Sequence, residues 1–266
     1  MSFSTILLSK DGAIATVTLN QPENLNAYSG EMGGELYAAW QDVNSDPQIR
    51  VMIITGAGRA FCAGANVKLF KEAAEHRRKT GERRPVQDNW FPEHGPQFLA
   101  RMDKITIAAI NGPAVGIGFT LPLACDIRLM SDTATTGAVF GRVGLIPEFG
   151  STYLLPRVVG LPKALELVFT ARIIKAEEAK EIGLVHKVVP AEQLMNEARS
   201  WATSIAANAP LTLKLGKHGL YRSLDATLQE QCDWENIAQD FMMGTADHLE
   251  GVTAFLEKRA PRWTGK

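Results

Sequence analysis

The stretch Ile110-Asn111-Gly112-Pro113-Ala114-Val115-Gly116-Ile117-Gly118, continuing to Cys125-Asp126-Ile127, decides the fold of this chain. It follows a continuous apolar run over 105–110, the pattern of a strand covered on both faces. Small residues then make a loop, and the composition predicts a helix from about Gly116 to Cys125. A further apolar run over 127–130 predicts another strand. The segment Val51-Met52-Ile53-Ile54-Thr55 repeats the theme, followed by a loop of small residues from Gly56 to Ala65. Strands alternating with helices indicate an α/β core.

Upstream, residues 5–9 and 13–19 read as a hairpin turned by Asp11-Gly12. A helix follows Ser29, because Met32, Leu36, Ala39, Trp40 and Val43 share one face at helical period, and Asp46-Pro47 ends it. From about residue 190 the pattern is helical to the end. Leu194, Ala198, Trp201 and Ile205 form a stripe, Asn208-Ala209-Pro210 stops it, and Trp234, Ile237, Phe241, Met242 and Met243 mark later helices. The expected division is a core over 1–195 and a helical region over 196–266. Residues 70–97 differ in texture: basic and acidic side chains alternate with few apolar ones, as in a solvated helix and loop or a cap whose cations meet phosphates.

The 266 residues carry 28 Lys and Arg against 29 Asp and Glu, a formal net charge of -1, so a nucleic-acid footprint is not expected. Three cysteines, Cys62, Cys125 and Cys232, lack paired spacing, which argues for a reducing compartment. No histidine pair has metal-ligand spacing, and no metal is expected. The opening Met-Ser-Phe-Ser-Thr is not a basic region followed by an apolar core. No apolar run nears the roughly 20 residues of a membrane helix, and the expectation is a cytosolic protein without membrane attachment.

Gly116-Ile117-Gly118 and Gly56-Ala57-Gly58 fall short of a dinucleotide fingerprint, since Leu121 and Phe61 occupy the third glycine positions. The loops after the two buried strands, 61–66 and 111–118, admit two readings. They are tight strand-to-helix turns, or they converge to present free backbone N–H groups as an oxyanion hole. Glu148, after Leu145-Ile146-Pro147, is either an exposed turn residue or an acid whose apolar neighbours Ile146 and Phe149 raise its pKa. Asp126 and Asp132 read as structural, and Glu177 and Glu178 suit the start of a short helix that Gly183 ends. Asp88, Trp90, Phe91, His94 and Phe140 are candidates for a pocket wall, and equally for ordinary loop or core.

Four segments in order give the chain a resemblance to a known family. Asn20-Gln21-Pro22-Glu23-Asn24-Leu25-Asn26-Ala27, Ala60-Phe61-Cys62-Ala63-Gly64-Ala65-Asn66-Val67, Ile110-Asn111-Gly112 through Cys125-Asp126-Ile127, and Gly144-Leu145-Ile146-Pro147-Glu148 through Leu154-Leu155-Pro156-Arg157 resemble the crotonase (enoyl-CoA hydratase/isomerase) superfamily. The resemblance implies a spiral of repeated ββα units with a C-terminal helical region for oligomerisation and active-site capping. It also implies assembly as a homotrimer or a dimer of trimers. It implies an acyl-CoA substrate and no separate cofactor, coenzyme A arriving as part of the thioester. Ala65 and Ile117 would supply the oxyanion amides and Glu148 the proton carrier. Asn24, Leu25, Ala63 and Asn66 would line the coenzyme A site, with Phe255 and Lys258 reaching coenzyme A on a neighbouring subunit. The two glutamates of the paired-glutamate hydratases would fall at Thr120 and Phe140, and Asn66 stands where the family usually has Asp. One carboxylate suits double-bond isomerisation. A one-carboxylate hydratase, an acyl-CoA hydrolase, and a silent member that binds acyl-CoA or protein are the rival expectations.

Overall fold

The hairpin forms as expected, β1 (Ile6–Asp11) pairing antiparallel with β2 (Ile14–Leu19) around Gly12. The structure, a computed structural model, describes residues 3–82 and 95–266. Helix α1 (Gly30–Ser45) starts at Ser29, whose hydroxyl accepts from the Met32 N–H, and it buries Met32, Leu36, Ala39, Trp40 and Val43. Strand β3 (Val51–Gly56), helix α2 (Val67–Thr80), helix α3 (Gly95–Arg101) and strand β4 (Ile105–Ile110) follow. Between β4 and its helix the chain makes one element the sequence pattern conceals. Ala114 and Val115 form β5, and α4 spans only Ile117–Leu123. A two-residue strand is too short to show any periodicity.

The chain then runs through β6 (Ile127–Ser131), β7 (Thr135–Gly137), α5 (Ser151–Val159), α6 (Leu161–Thr170), β8 (Ile174–Lys175), α7 (Ala176–Glu181) and β9 (Lys187–Val189). Two sheets result, a six-stranded one in the order β1-β2-β3-β4-β6-β9 and a small one in the order β5-β7-β8. From β2 onward the larger sheet is parallel. Each turn lays one strand in the large sheet, a short strand or bridge in the small one, and then a helix. In the first turn that bridge is Cys62 against Ala114. The repeat is the expected spiral of ββα units.

Alternation along the central strands divides the core. Met52, Ile54, Ala108, Ile110 and Met130 face the interior of the spiral, where α1, α4 and α5 contribute. Their neighbours Val51, Ile53, Ile107, Ala109 and Leu129 face Leu194, Ala198 and Ala202 of α8 (Leu194–Ala206). Side chains of a strand point alternately to opposite faces, so each continuous apolar run feeds two cores at once. The expected division at 195/196 falls within α8.

Three further helices complete the chain: α9 (Pro210–Arg222), α10 (Leu228–Met243) and α11 (Ala246–Glu257). A capping box formed by Thr227 and Glu230 starts α10. Their anchor to the spiral is Lys217, whose side chain is 2 % exposed. Its Nζ lies 2.9 Å from Asp126 Oδ2 and 3.0 Å from the Lys104 carbonyl. Asp126 Oδ2 also accepts from the Thr106 N–H and hydroxyl, at 2.7 and 2.9 Å. Asp126 is therefore more than a helix end. It is the partly buried counter-charge for a helix that starts more than eighty residues later.

Removing one partner of such a pair strands a buried charge. Lys217→Met is expected to lower stability by about 3–5 kcal/mol. Adding Asp126→Asn in the same chain should recover part of that loss in denaturant titration, whereas simple additivity would show that the pair is not coupled.

Candidate active site

Two buried or half-buried asparagines brace the first loop. Asn26 is fully buried with φ 54, and its Nδ2 donates to the Ala57 and Ala60 carbonyls at 2.9 and 2.8 Å. Its Oδ1 accepts from the Gln21 N–H at 2.9 Å. Asn111 Oδ1 accepts from the Gly56 N–H at 3.0 Å, while its Nδ2 donates to the Gly58 carbonyl at 3.1 Å. Asparagine tolerates a left-handed backbone and offers both donor and acceptor, which lets one side chain tie two loops.

The same framework joins the two glycine-rich loops. The Phe61 and Cys62 N–H groups donate to the Pro113 carbonyl, and the Val115 N–H donates to the Cys62 carbonyl at 3.1 Å. Such approach requires glycine: a Cβ on Gly118 would lie 2.1 Å from the Cys62 carbonyl oxygen. Gly64 (φ 91) packs on the Val115 carbonyl, and a Cβ on Gly116 would sit 3.4 Å from the Gly64 Cα. The residues preceding Ala65 and Ile117 thus touch each other.

Backbone pairing sets the direction of the two amides. The Tyr28 N–H donates to the Gly64 carbonyl at 2.8 Å, and the Asn66 N–H donates to the Tyr28 carbonyl at 3.3 Å. That parallel bridge uses the peptide groups flanking Ala65 and turns its own N–H away from Tyr28. Ile117 opens α4 behind Gly116, which supplies no side-chain cap. Neither the Ala65 nor the Ile117 N–H donates to an acceptor among the described residues.

Glu148 meets this assembly from the loop before α5. Its Oε1 accepts from the Thr120 hydroxyl at 3.0 Å, and that hydroxyl lies 3.4 Å from the Ile117 carbonyl. Oε2 is sealed from solvent with no hydrogen-bond partner among the described residues. Burial pushes the carboxyl up to about 7, and the Thr120 bond opposes that rise by stabilising the charged form. Its negative charge also raises the neighbouring Tyr28 phenol and the Cys62 thiol, although burial is the larger cause for both. The backbone after it is strained: Phe149 takes φ 54 while its ring is 7 % exposed. A non-glycine residue held in that region costs on the order of 1 kcal/mol or more, and packing of the ring offsets it.

The remaining predicted residues lie in several places. The Leu25 carbonyl accepts from the Ala63 N–H at 3.0 Å, so Asn24, Leu25, Ala63 and Asn66 share one rim beside Ala65. Phe255 is exposed on the last turn of α11, and Lys258 caps that helix in a left-handed conformation. Phe140 is a buried core residue. Asp88, Trp90, Phe91 and His94 lie outside the described residues. Sequence reasoning overlooked Thr120 as a partner, treating it only as a missing acid. A hydroxyl three residues after a helix start, facing the turn that carries Glu148, was the available signal. Among the described residues no cluster of His, Cys, Asp or Glu could hold a metal, and no helix is long and apolar enough to cross a membrane. A cavity of about 860 Å³ between α3, α5, α9 and α10 adjoins this site at Gly150 but does not include the Glu148 carboxylate. The two N–H groups without an acceptor among the described residues and the buried carboxyl of raised pKa lie in the loops, outside that cavity.

Comparison with known proteins addresses the family and the fold. Residues 9–266 match the family model described as enoyl-CoA hydratase/isomerase. The short-chain-enoyl-CoA hydratase of Clostridium acetobutylicum is 35% identical over 263 residues, with 97% of each chain covered. The 1,2-epoxyphenylacetyl-CoA isomerase of Escherichia coli K12 is 36% identical over 266 residues, with 98% of each covered. The crystal structure of an enoyl-CoA hydratase from Bacillus anthracis superposes with a TM-score of 0.90 at 34% identity, covering 99% of this chain and 100% of that one. Both the fold and the similarity over nearly the full length lead to one conclusion: the chain belongs to the enoyl-CoA hydratase/isomerase family, the crotonase superfamily, and is an enzyme of that type.

Proposed function

We propose that this enzyme shifts the double bond of an enoyl-CoA thioester with a single carboxylate, Glu148. The observation that carries the reading is the pairing of Glu148 with Thr120, a hydroxyl where a two-acid hydratase would have a carboxylate. The Ala65 and Ile117 amides receive the thioester oxygen. As the proton leaves the carbon next to the carbonyl, its bonding electrons pass into the enolate and the charge gathers on that oxygen. Preorganised donors are each worth about 3 to 4 kcal/mol there. Glu148 takes the proton on Oε2 and returns it to the carbon two positions further along the acyl chain, moving the double bond into conjugation. A carboxyl titrating at about 7 is well matched to both halves of that task near neutral pH.

Asn24, Leu25, Ala63 and Asn66 are the proposed rim for coenzyme A, through main-chain contacts that do not require Asp at position 66. The enzyme needs no further cofactor in this reading, and its three free thiols suit the cytosol. Assembly into trimers, or pairs of trimers, is supported by two separate apolar surfaces. Ile146, Leu161 and Phe169 lie before and on α6, and Ile237, Leu249, Phe255 and Leu256 lie on α10 and α11, all strongly exposed in the single chain. Two unlike faces that bind each other build a ring where the rotation closes, rather than a two-fold dimer. That arrangement brings Phe255 and Lys258 to a neighbour's coenzyme A.

Glu148→Gln should reduce isomerisation of a 3-enoyl-CoA by about 10²- to 10⁴-fold while coenzyme A affinity stays within about twofold. Product mass distinguishes the rivals: isomerisation leaves it unchanged, hydration adds one water, and hydrolysis releases free thiol. An unaffected rate in this variant removes Glu148 from the mechanism, and coenzyme A binding without turnover of any acyl-CoA favours a silent binding protein.

Stability should respond to pH with a definite sign. Because folding raises Glu148 from 4.5 to about 7, the native state holds an extra proton between those values, and stability falls as pH rises through that window. Glu148→Gln is expected to stabilise the free protein at pH 8 by up to about 3 kcal/mol, with the gain vanishing toward pH 4.5. Thermal unfolding of both proteins across that range checks it, and a pH-independent difference would contradict the burial argument.

A further inference from the structure

We propose that Thr120 is the positioning residue of Glu148: its hydroxyl holds Oε1 and so presents Oε2 as the single proton acceptor, tying the acid to the helix turn that carries the Ile117 amide. The inference rests on the reading of Glu148 as the proton carrier and assigns a role to a residue that reading does not use.

The geometry is restrictive. Thr120 is fully buried in the first turns of α4, with Oγ1 3.0 Å from Glu148 Oε1 and 3.4 Å from the Ile117 carbonyl. A threonine hydroxyl has one hydrogen to donate. An ionised carboxylate is the stronger acceptor, so the hydrogen goes to Oε1 in the resting enzyme. Oε2, sealed and without a partner among the described residues, is left for the substrate. When Oε2 takes the substrate proton, Oε1 becomes the carbonyl oxygen of a neutral acid and a weaker acceptor. The Ile117 carbonyl then competes for the Thr120 hydrogen. The protonation state of the acid is thereby felt at the peptide turn beside the oxyanion donor, with no charge added and no residue moved further than a hydroxyl rotation.

A second consequence is tuning. A donor to the charged form lowers a carboxyl pKa, and here it works against burial, the only other cause of the shift. Without the hydroxyl, burial acts alone, and a larger share of Glu148 is protonated at neutral pH, where it cannot act as a base. A purely space-filling threonine would have no such effect, because valine has nearly the same shape.

The test uses Thr120→Val, Thr120→Ser and Glu148→Gln in the full-length enzyme. The Glu148 carboxylic acid infrared band, identified by its absence in Glu148→Gln, is titrated against pH in each protein without substrate. Thr120→Val should move its midpoint up by roughly one to two pH units, the size of a lost hydrogen bond to a charged acceptor. Thr120→Ser should restore it. With a 3-enoyl-CoA, kcat at pH 7 should fall about 10- to 100-fold in Thr120→Val with KM changed less than about threefold, and the pH profile of kcat/KM, which reports the free enzyme, should shift by the same amount as the band. If Glu148→Gln is inactive but the valine variant leaves both midpoint and profile in place, Thr120 is packing only and the proposal fails alone. If Glu148→Gln retains full turnover, the reading of the site falls and this inference falls with it.

Discussion

Everything at this site depends on two stretches of main chain lying in direct contact. The loop after β3 and the loop after β4 hydrogen-bond to one another through Pro113, Cys62 and Val115, and only hydrogen fits where Gly118 meets the Cys62 carbonyl. Neighbouring parallel strands deliver both loops to the same end of the sheet. Contact between the two loops is therefore a property of the spiral itself, and Asn26 and Asn111 keep them from relaxing apart.

The acid is held by different means. Its position comes from a strained turn at Phe149, stabilised by the burial of that ring, and its proton affinity comes from exclusion of water. Burial acting alone would hold the carboxyl higher still. A single hydroxyl opposing it keeps the group near the middle of its titration at neutral pH, where giving and taking a proton are both accessible. The balance lies between one large non-directional effect and one small directional one.

The central strands were legible in the sequence because burial on both faces leaves continuous apolar runs, as at 51–55 and 105–110. Helix α1 was legible through Ser29 and its stripe. Strand β5 was hidden because two residues carry no period, and α4 is shorter than its composition suggests because Gly116 is its N-cap and the helix ends at Leu123 with its C-cap at Ala124. Ala65, Ile117 and Glu148 were pointed to by family motifs rather than by pattern. Lys217 illustrates the limit: a lysine on an amphipathic helix reads as solvent-facing, and only the fold reveals Asp126 waiting for it 91 positions away. Long-range charge pairing leaves no local trace.

Donors that belong to peptide units have an unusual genetic status. In the proposed mechanism the donor atom at Ala65 and Ile117 is present in every amino acid except proline, so changes there alter the walls of the site without deleting its electrostatics. Under that mechanism, diversification of acyl preference can proceed at the very residues assigned to the enolate, a freedom denied to any enzyme whose oxyanion donors are side chains. The lineage can explore new substrates while its hardest chemical step stays in the backbone, out of reach of most point mutations.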